Sequence, residues 1–272
     1  MKRKKRRRLK RFLFALAAVM LIWWFNNYTL KITEVNIEDE KISNEITLVQ
    51  LTDLHGASFS KGNKTLIKKV ESLSPDIVLI TGDMFTHPDE DSTGSDTALD
   101  LMAQLAKKYK VCYVNGEHDD SEPFFERLRA AGVTVMNYEE QLVTVKDTKL
   151  HIYGIDNVYF PSGFDLHNAF EPDDKNFTVL LSHSQNFKKF AEFGIDLTLC
   201  GDTHGGIFRL PFVGAVADDD GFFPDRSGRY TKGLYNLGDS RMFISSGLGN
   251  YPLPVRFFNR PEIAVIKLLP KK

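Results

Sequence analysis

Five short apolar runs constrain this 272-residue chain more than any other feature: ITLVQL (46–51), DIVLI (76–80), VCYV (111–114), TVLLS (178–182) and DLTLC (196–200). Each has the length and β-branched content of a buried strand. Amphipathic stretches at about 63–73, 96–109, 122–131 and 186–193 lie between them, the alternation expected of an α/β fold. Residues 133–155 read instead as successive short strands with turns (VTVMNY, QLVTV, LHIYGI), and 242–269 carries more strand pattern and no helix. The expected architecture is α/β with two packed sheets, the second mixed, and helices outside them. The stretch rich in Asp, Pro and Gly at 218–228 is expected to be a long exposed loop, and the sequence has no internal repeat.

Each run is followed at once by residues of metal-binding type: Asp53 and His55, then Asp83, then Glu117, His118 and Asp119, then His183, then Asp202 and His204. In an open α/β sheet the carboxyl ends of the strands share one edge, so loops distant in sequence deliver their side chains into one crevice. A single hit means little, because Asp-x-His is common by chance and a lone His is usually a surface or satisfied core residue. Five hits at five strand ends point to a shared site. Other polar residues have plainer readings. His87 either lines the pocket or is a solvated loop residue, and His151 and His167 lack a partner pattern. Asp218, Asp219 and Asp220 lack the alternating spacing of a calcium loop and read as an acidic turn. Asn115 reads as a turn residue, and Arg209 and Arg256 either meet a substrate phosphate or form structural ion pairs. Cys112 and Cys200 lie in apolar runs and read as small core residues rather than a disulfide framework.

The segments TDLH (52–55), GD (82–83), GEHD (116–119), LSH (181–183) and GDTHGG (201–206) resemble, in order and spacing, the motifs of the calcineurin-like metallophosphoesterases: D-x-H, G-D, G-N-H-D/E, a lone His and G-H-x-H. The GxTHGG run and the tail SSGLGNYPLPVRFFNRPEI (245–263) are closest to membrane-anchored bacterial members, and the likeness covers about residues 46–269. The resemblance implies a four-layer α/β/β/α sandwich of two mixed sheets with two divalent metal ions. It implies that Asp53, His55, Asp83 and His204 hold the first ion, and that Asp83, Glu117, His183 and Asp202 hold the second, with Asp83 bridging. His118 would protonate or stabilise the leaving oxygen, with Asp119 orienting it. Two such ions about 4 Å apart bind the phosphate oxygens and activate a water for in-line attack.

Two positions depart from the family pattern, and both belong to the second ion: Asn is replaced by Glu117, and the first His of G-H-x-H by Asp202. The expected ligand set then has four carboxylates instead of two, which lowers the charge of a two-ion site from about +2 to about 0. An oxygen-rich second position favours Mn²⁺, Mg²⁺, Ca²⁺ or Fe³⁺ over Zn²⁺, with manganese the first expectation. It also favours phosphodiesters or pyrophosphate links over a dianionic monoester. The opposite outcome, a site distorted by Glu117 into a non-catalytic envelope protein that binds metal or phosphate, is the alternative.

Charge and hydropathy divide the chain unevenly. Nine of the 35 Lys and Arg residues fall within 2–11, and no acidic residue precedes Glu34, so the remainder has 26 basic residues against 36 acidic ones, a net of −10. A nucleic-acid partner is not expected of so acidic a body. The uninterrupted apolar run Phe12–Phe25, extended by Tyr28 and Leu30, follows the basic segment, with Trp23 and Trp24 at its end. Small residues for signal cleavage are missing after the run, so an uncleaved anchor is expected and a cleaved secretory signal is the alternative. The expected organisation is a basic cytoplasmic tail (1–11), a membrane anchor (12–30) and a metallophosphoesterase domain (31–272). The positive-inside rule places the tail in the cytoplasm and the body outside, in the cell envelope. The expected function is hydrolysis of a phosphodiester or pyrophosphate bond in a lipid-linked or wall-polymer substrate.

Overall fold

Alternation within the buried strands decides the layering. In Ile46–Leu51, residues Ile46 and Leu48 face one apolar cluster while Val49 and Leu51 face another. Both faces of the strand are therefore covered, as buried parallel sheets require. The computed structural model describes residues 2–86, 92–156, 160–206, 208–218, 221–251 and 255–271.

The chain opens with a long helix, α1 (Lys2–Tyr28), and the strand β1 (Lys31–Asp39). A β/α succession follows: β2 (Ile46–Leu51), α2 (Lys64–Ser72), β3 (Ile77–Thr81), α3 (Ser92–Ala106), β4 (Lys110–Val114), α4 (Glu122–Ala130) and β5 (Thr134–Val135). Next come β6 (Glu139–Val145), β7 (Thr148–Gly154), β8 (Phe177–Leu181), α5 (Phe187–Phe193) and β9 (Leu197–Cys200). Two small hairpins, β10 (Arg209–Leu210) with β11 (Gly214–Ala215) and β12 (Ala217–Asp218) with β13 (Gly221–Phe222), precede β14 (Gly233–Leu237), β15 (Ser240–Ile244) and β16 (Glu262–Pro270).

The first sheet has the order β1-β16-β2-β3-β4-β5 and the second β14-β15-β9-β8-β7-β6. Both are mixed: β16 runs antiparallel to β2 in the first, and β6 and β14 antiparallel to β7 and β15 in the second. Ile77, Leu79, Cys112 and Ile266 of the first sheet pack against Ile152, Val179, Leu181 and Leu199 of the second. Leu66, Leu101, Met102 and Phe124 of the helices α2, α3 and α4 cover the outer face of the first sheet. Phe187, Phe190 and Phe193 of α5 cover the outer face of the second. This is an α/β/β/α sandwich, and each fully buried large side chain in it contributes roughly 1.5–3 kcal/mol. A polar side chain crosses the interface between the sheets. Gln50 Nε2 donates to Thr81 Oγ1 at 2.8 Å and to Cys200 O at 2.9 Å, tying the sheets together beside the strand ends.

Several elements differ from the sequence expectation. Strands β1 and β14 lie in stretches without a clear apolar run, and VTVMNY yields only the two-residue β5. The stretch 218–228 contains a hairpin strand and the 3-10 turn Pro224–Ser227, with Pro224 buried, so it is less of an open loop than its composition suggests. Helix α1 runs unbroken from the basic segment through the apolar run, and Lys4–Tyr28 is long and apolar enough to cross a membrane, by length and composition alone. Cys112 and Cys200 are buried free thiols.

Candidate metal centre

The carboxyl ends of β2, β3, β4, β8 and β9 meet at one edge of the sandwich. Hydrogen bonds knit their loops together: Asp53 N donates to Gly82 O (3.0 Å), His55 N to Asp83 O (3.0 Å), Gly201 N to His183 O (3.1 Å) and Asp202 N to Asp53 Oδ1 (3.1 Å). The turns are sharp. Asp53, His55, Asp83, Asp202 and His204 have φ of 49°, 47°, 53°, 73° and 49°. The left-handed region is uncommon for non-glycine residues, and a residue held there costs on the order of 1–3 kcal/mol, which makes such positions markers of function. Glycines let the loops close around the carboxylates: a side chain at Gly116 would collide with Asp83 Oδ1, and one at Gly247 with Asp53.

Three overlapping sets of potential metal donors result: Asp53, His55 and His204; Asp53, Asp83 and His183; and Asp83, Glu117 and His118. His55 Nε2 lies 3.2 Å from His204 Nε2 and 3.6 Å from Asp83 Oδ2. His183 Nε2 lies 3.3 Å from Asp83 Oδ2, 3.9 Å from Asp53 Oδ1 and 4.0 Å from Asp202 Oδ1. Among the described residues Asp202 is outside these three sets. Its side chain and that of Glu117 are each 39% exposed, on the solvent side of the cluster. Glu117 Oε1 is 3.3 Å from His118 Nε2.

The ring orientations suit coordination. Thr81 O can only accept, so His183 Nδ1 carries a proton toward it at 2.7 Å and Nε2 is aimed at the carboxylates. His55 Nδ1 is held by Thr86 Oγ1 at 2.8 Å, which likewise turns Nε2 inward. Asp53 Oδ2, His183 Nε2 and His204 Nδ1 are buried without a hydrogen-bond partner. Orphaned buried polar atoms are costly and rare. Here they belong to three residues, Asp53, His183 and His204, whose side chains meet from separate loops, a setting that fits divalent cations.

The electrostatics agree. Burial pushes the Asp53 carboxyl up to about 7, and Asp83 and Asp202 add to that rise against His183. Burial pulls His55 down to about 3 and His204 well below the imidazole range, so both rings are neutral at pH 7. Burial opposes the charges of Asp83 and His183, yet their attraction wins: Asp83 is held below the usual carboxylate range and His183 well above the imidazole range. A cation arriving here would displace the proton from His183 Nε2 and ionise Asp53.

Asp119 is fully buried, and its carboxylate accepts from Met84 N (2.7 Å) and Gly116 N (2.6 Å). It thereby staples the loop that carries His118 to the loop that carries Asp83, while His118 N donates to Asp83 Oδ1 at 3.1 Å.

A further loop, 245–251, closes the site. Leu248 N donates to Thr52 O (3.0 Å) and Gly249 N to Asp53 O (2.6 Å). Tyr251 stacks on His55, with ring centroids 4.9 Å apart, and meets His118 edge-on at 4.5 Å. Sequence reasoning missed Tyr251; the signal available was its place in the 245–263 tail. Asn259, missed as well, donates from Nδ2 to His204 O at 2.7 Å.

The remaining singled-out residues are elsewhere. Arg256 is buried and donates to Gly249 O and Asn250 Oδ1, a structural role. Arg209 pairs with Asp225 at 2.8 Å. His151 pairs with Asp173 and His167 with Asp165, away from the cluster. Asn115 is buried beside Gly116. His87, Asp219 and Asp220 lie outside the described residues.

The chain is similar in sequence to proteins of one family. The calcineurin-like phosphoesterase family matches residues 46–206, more than half of the chain. An uncharacterised metallophosphoesterase of Bacillus subtilis is 28% identical over 229 residues, covering 81% of this chain and 78% of the relative. A protein of Danio rerio described as a transmembrane protein with a metallophosphoesterase domain is 27% identical, covering 88% of this chain and 57% of that one. Among solved structures, the NAD nucleotidase of Haemophilus influenzae is 16% identical with a TM-score of 0.44, covering 74% of this chain, which spans 44% of that protein.

Proposed function

Because the chain belongs to the calcineurin-like phosphoesterase family, we propose that it is a membrane-anchored, dinuclear metal-dependent hydrolase of a phosphodiester or pyrophosphate bond, acting on a lipid-linked or cell-envelope substrate. The observation that carries the reading is the convergence of Asp53, His55, Asp83, His183 and His204 from separate strand ends, with a buried atom of Asp53, of His183 and of His204 left without a hydrogen-bond partner.

In this reading Asp53, His55, Asp83 and His204 hold one ion, and Asp83, Glu117, His183 and Asp202 the other. When bound, such ions polarise phosphoryl oxygens and lower the pKa of water, with manganese the expected occupant. The protein's own residues supply the rest. Thr81 and Thr86 fix the rings of His183 and His55. His118, on a loop pinned by Asp119, is placed at the rim to give a proton to the leaving oxygen, and Tyr251 limits its ring rotation. Four carboxylates neutralise two divalent ions, which weakens attraction for a dianionic monoester and favours links with less charge per phosphorus. The domain is residues 31–272, with α1 as its anchor, its N-terminus cytoplasmic and the body outside the cell membrane.

Glu117 and Asp202 motivate a second reading, a non-catalytic protein that binds metal or phosphate. Full-length protein loaded with each metal in turn and assayed on a chromogenic phosphodiester separates the two. Turnover that His118→Ala removes while metal content stays unchanged is expected. Bound metal with no turnover under any ion would establish the second reading.

A further inference from the structure

Exposed apolar side chains are concentrated at one place on the body. Outside α1, twelve large hydrophobic residues are exposed among the described residues, and seven of them lie in 208–223 and 257–258. Phe212, at the tip of the β10–β11 hairpin, is fully exposed, and Phe222 and Phe258 are 77% and 56% exposed. Phe212 and Phe258, together with Phe208, Leu210 and Phe257, form a rim of a kind that soluble surfaces rarely display without a partner. Leu210, Phe212 and Phe258 also wall an open cleft of about 450 Å³.

This rim is physically continuous with the end of α1. Arg256 N donates to Asn27 Oδ1 at 2.7 Å, and Asn27 Nδ2 donates back to Arg256 O at 3.2 Å. The Arg260 guanidinium sits 4.5 Å over the Phe25 ring, and its Nη2 donates to Leu30 O at 2.9 Å. Phe257 and Phe258 lie between these two arginines. Phe257 O accepts from Arg209 N at 3.0 Å, and the Phe257 ring meets that of Phe208, so the hairpin is joined to the same ties. Trp23, Trp24 and Tyr28 are exposed at this end of the helix. Aromatic residues of that type collect where hydrocarbon meets headgroups.

We propose that the hairpin β10–β11 and the Phe257–Phe258 turn insert into the interfacial layer of the same bilayer that α1 enters, as a second membrane contact that turns the metal centre toward the lipid surface. The occupant of the rim is lipid because the rim is tied within two residues to the helix end that bears the interfacial aromatics. The hairpin also begins five residues after His204, and Arg209 Nη1 donates to Gly205 O at 2.8 Å. An amphiphile with its phosphate at headgroup level would therefore be presented beside the site. Arg209 is neutralised by Asp225, so the contact rests on apolar insertion and should persist at high salt.

The proposal depends on α1 being a membrane anchor, and the test separates the two. Trp23 and Trp24 are the chain's only tryptophans. Full-length protein is reconstituted into phosphatidylcholine/phosphatidylglycerol vesicles with brominated acyl chains. In one sample the native indoles report on α1. In a second, Phe212→Trp is placed in a W23F/W24F background, and in a third Leu142→Trp, exposed on the edge strand β6, is placed in the same background. The native indoles and the F212W indole should both lose most of their emission, in low and high salt, while the L142W indole keeps its own. Quenched native indoles with an unquenched F212W indole overturn the rim proposal and leave the anchor standing, as a rim covered by a second copy or another protein would require. Equal quenching of F212W and L142W also overturns it. Unquenched native indoles overturn the anchor itself and the rim with it.

Discussion

Asp202→Gly separates the cost of building the site from what the site binds. Asp202 is held at φ 73° with a side chain 39% exposed, and its backbone N–H, not its carboxylate, makes the 3.1 Å bond to Asp53. Glycine keeps that bond and occupies left-handed space freely, which removes about 1–2 kcal/mol of strain. The unfolded chain gains freedom worth roughly 0.5–1 kcal/mol, offsetting part of this. The lost carboxylate repels Asp53 but attracts the protonated His183, so its removal adds little in either direction. The metal-free variant should therefore melt at or slightly above wild type, by about 3–6 °C at most for a domain of this size. Metal should reverse the order. At a free ion concentration 100 times Kd, binding stabilises wild type by about 2.7 kcal/mol, and a ligand loss that weakens Kd on the order of 100-fold leaves only about 0.4 kcal/mol. Some 4–8 °C of the metal-induced gain should disappear, and bound metal should fall from two ions per chain toward one. Melting curves across a Mn²⁺ titration, with metal content measured on the same samples, provide the assay. An undiminished metal-induced shift would remove Asp202 from the ligand set, and a steep fall in the metal-free melt would refute the strain argument.

Arg256→Met leaves Gly249 O and Asn250 Oδ1 without donors, at roughly 1–3 kcal/mol each, partly offset by the desolvation no longer needed for a buried charge. A net loss of about 2–3 kcal/mol should lower Tm by about 5–10 °C, and an unchanged melt with lost activity would return Arg256 to the substrate. Metal uptake should release protons, because Asp53, raised to about 7 by burial, is protonated below that pH and binds an ion only when ionised. His183, held well above the imidazole range, gives up a second proton, so apparent affinity should fall about a hundredfold per pH unit below 7 and still about tenfold per unit just above it, and calorimetry in buffers of different ionisation enthalpy counts the protons. His55, lowered to about 3, should add none of this dependence above pH 4. The double substitution E117N/D202H, which restores the usual family residues, should shift the preferred ion from Mn²⁺ toward Zn²⁺ in a competition read by metal analysis, and an unchanged preference would show that these carboxylates do not set it.

The parts of the fold that were legible in the sequence are those where one local cause dominates. β2, β3, β4, β8 and β9 are buried on both faces, so their sequences are apolar at nearly every position, and the strands fall within about a residue of the runs that announced them. β1 is an edge strand with the burial pattern of a half-solvated element, and KITEVNIED holds too few apolar residues to separate it from loop. Its partner β16, parallel to it along nine residues, comes from the far end of the chain. A long-range pairing of that kind has no local signature.

The candidate site follows the same division. Residue types and their place after strands could be read because chemistry restricts the donors to carboxylates and imidazoles. Which donors meet is a matter of backbone geometry, and the left-handed turns at Asp53, Asp83 and Asp202 do what glycine would do more cheaply. A turn that needed only its shape would be filled by glycine, as it is at neighbouring Gly82 (φ 90°) and Gly205 (φ 65°). Keeping Asp or His at a position where glycine is the lower-energy choice makes sense only if the side chain returns more free energy than the turn consumes. In the metal-free protein it does not at Asp53 and His204: Asp53 Oδ2 and His204 Nδ1 are without a hydrogen-bond partner, and Asp83 and Asp202 repel the Asp53 carboxylate. The deficit closes only when positive charge enters the cluster. Strain and orphaned atoms coinciding at Asp53 and His204, neither visible in the sequence, therefore argue more directly for bound cations than the motif itself does.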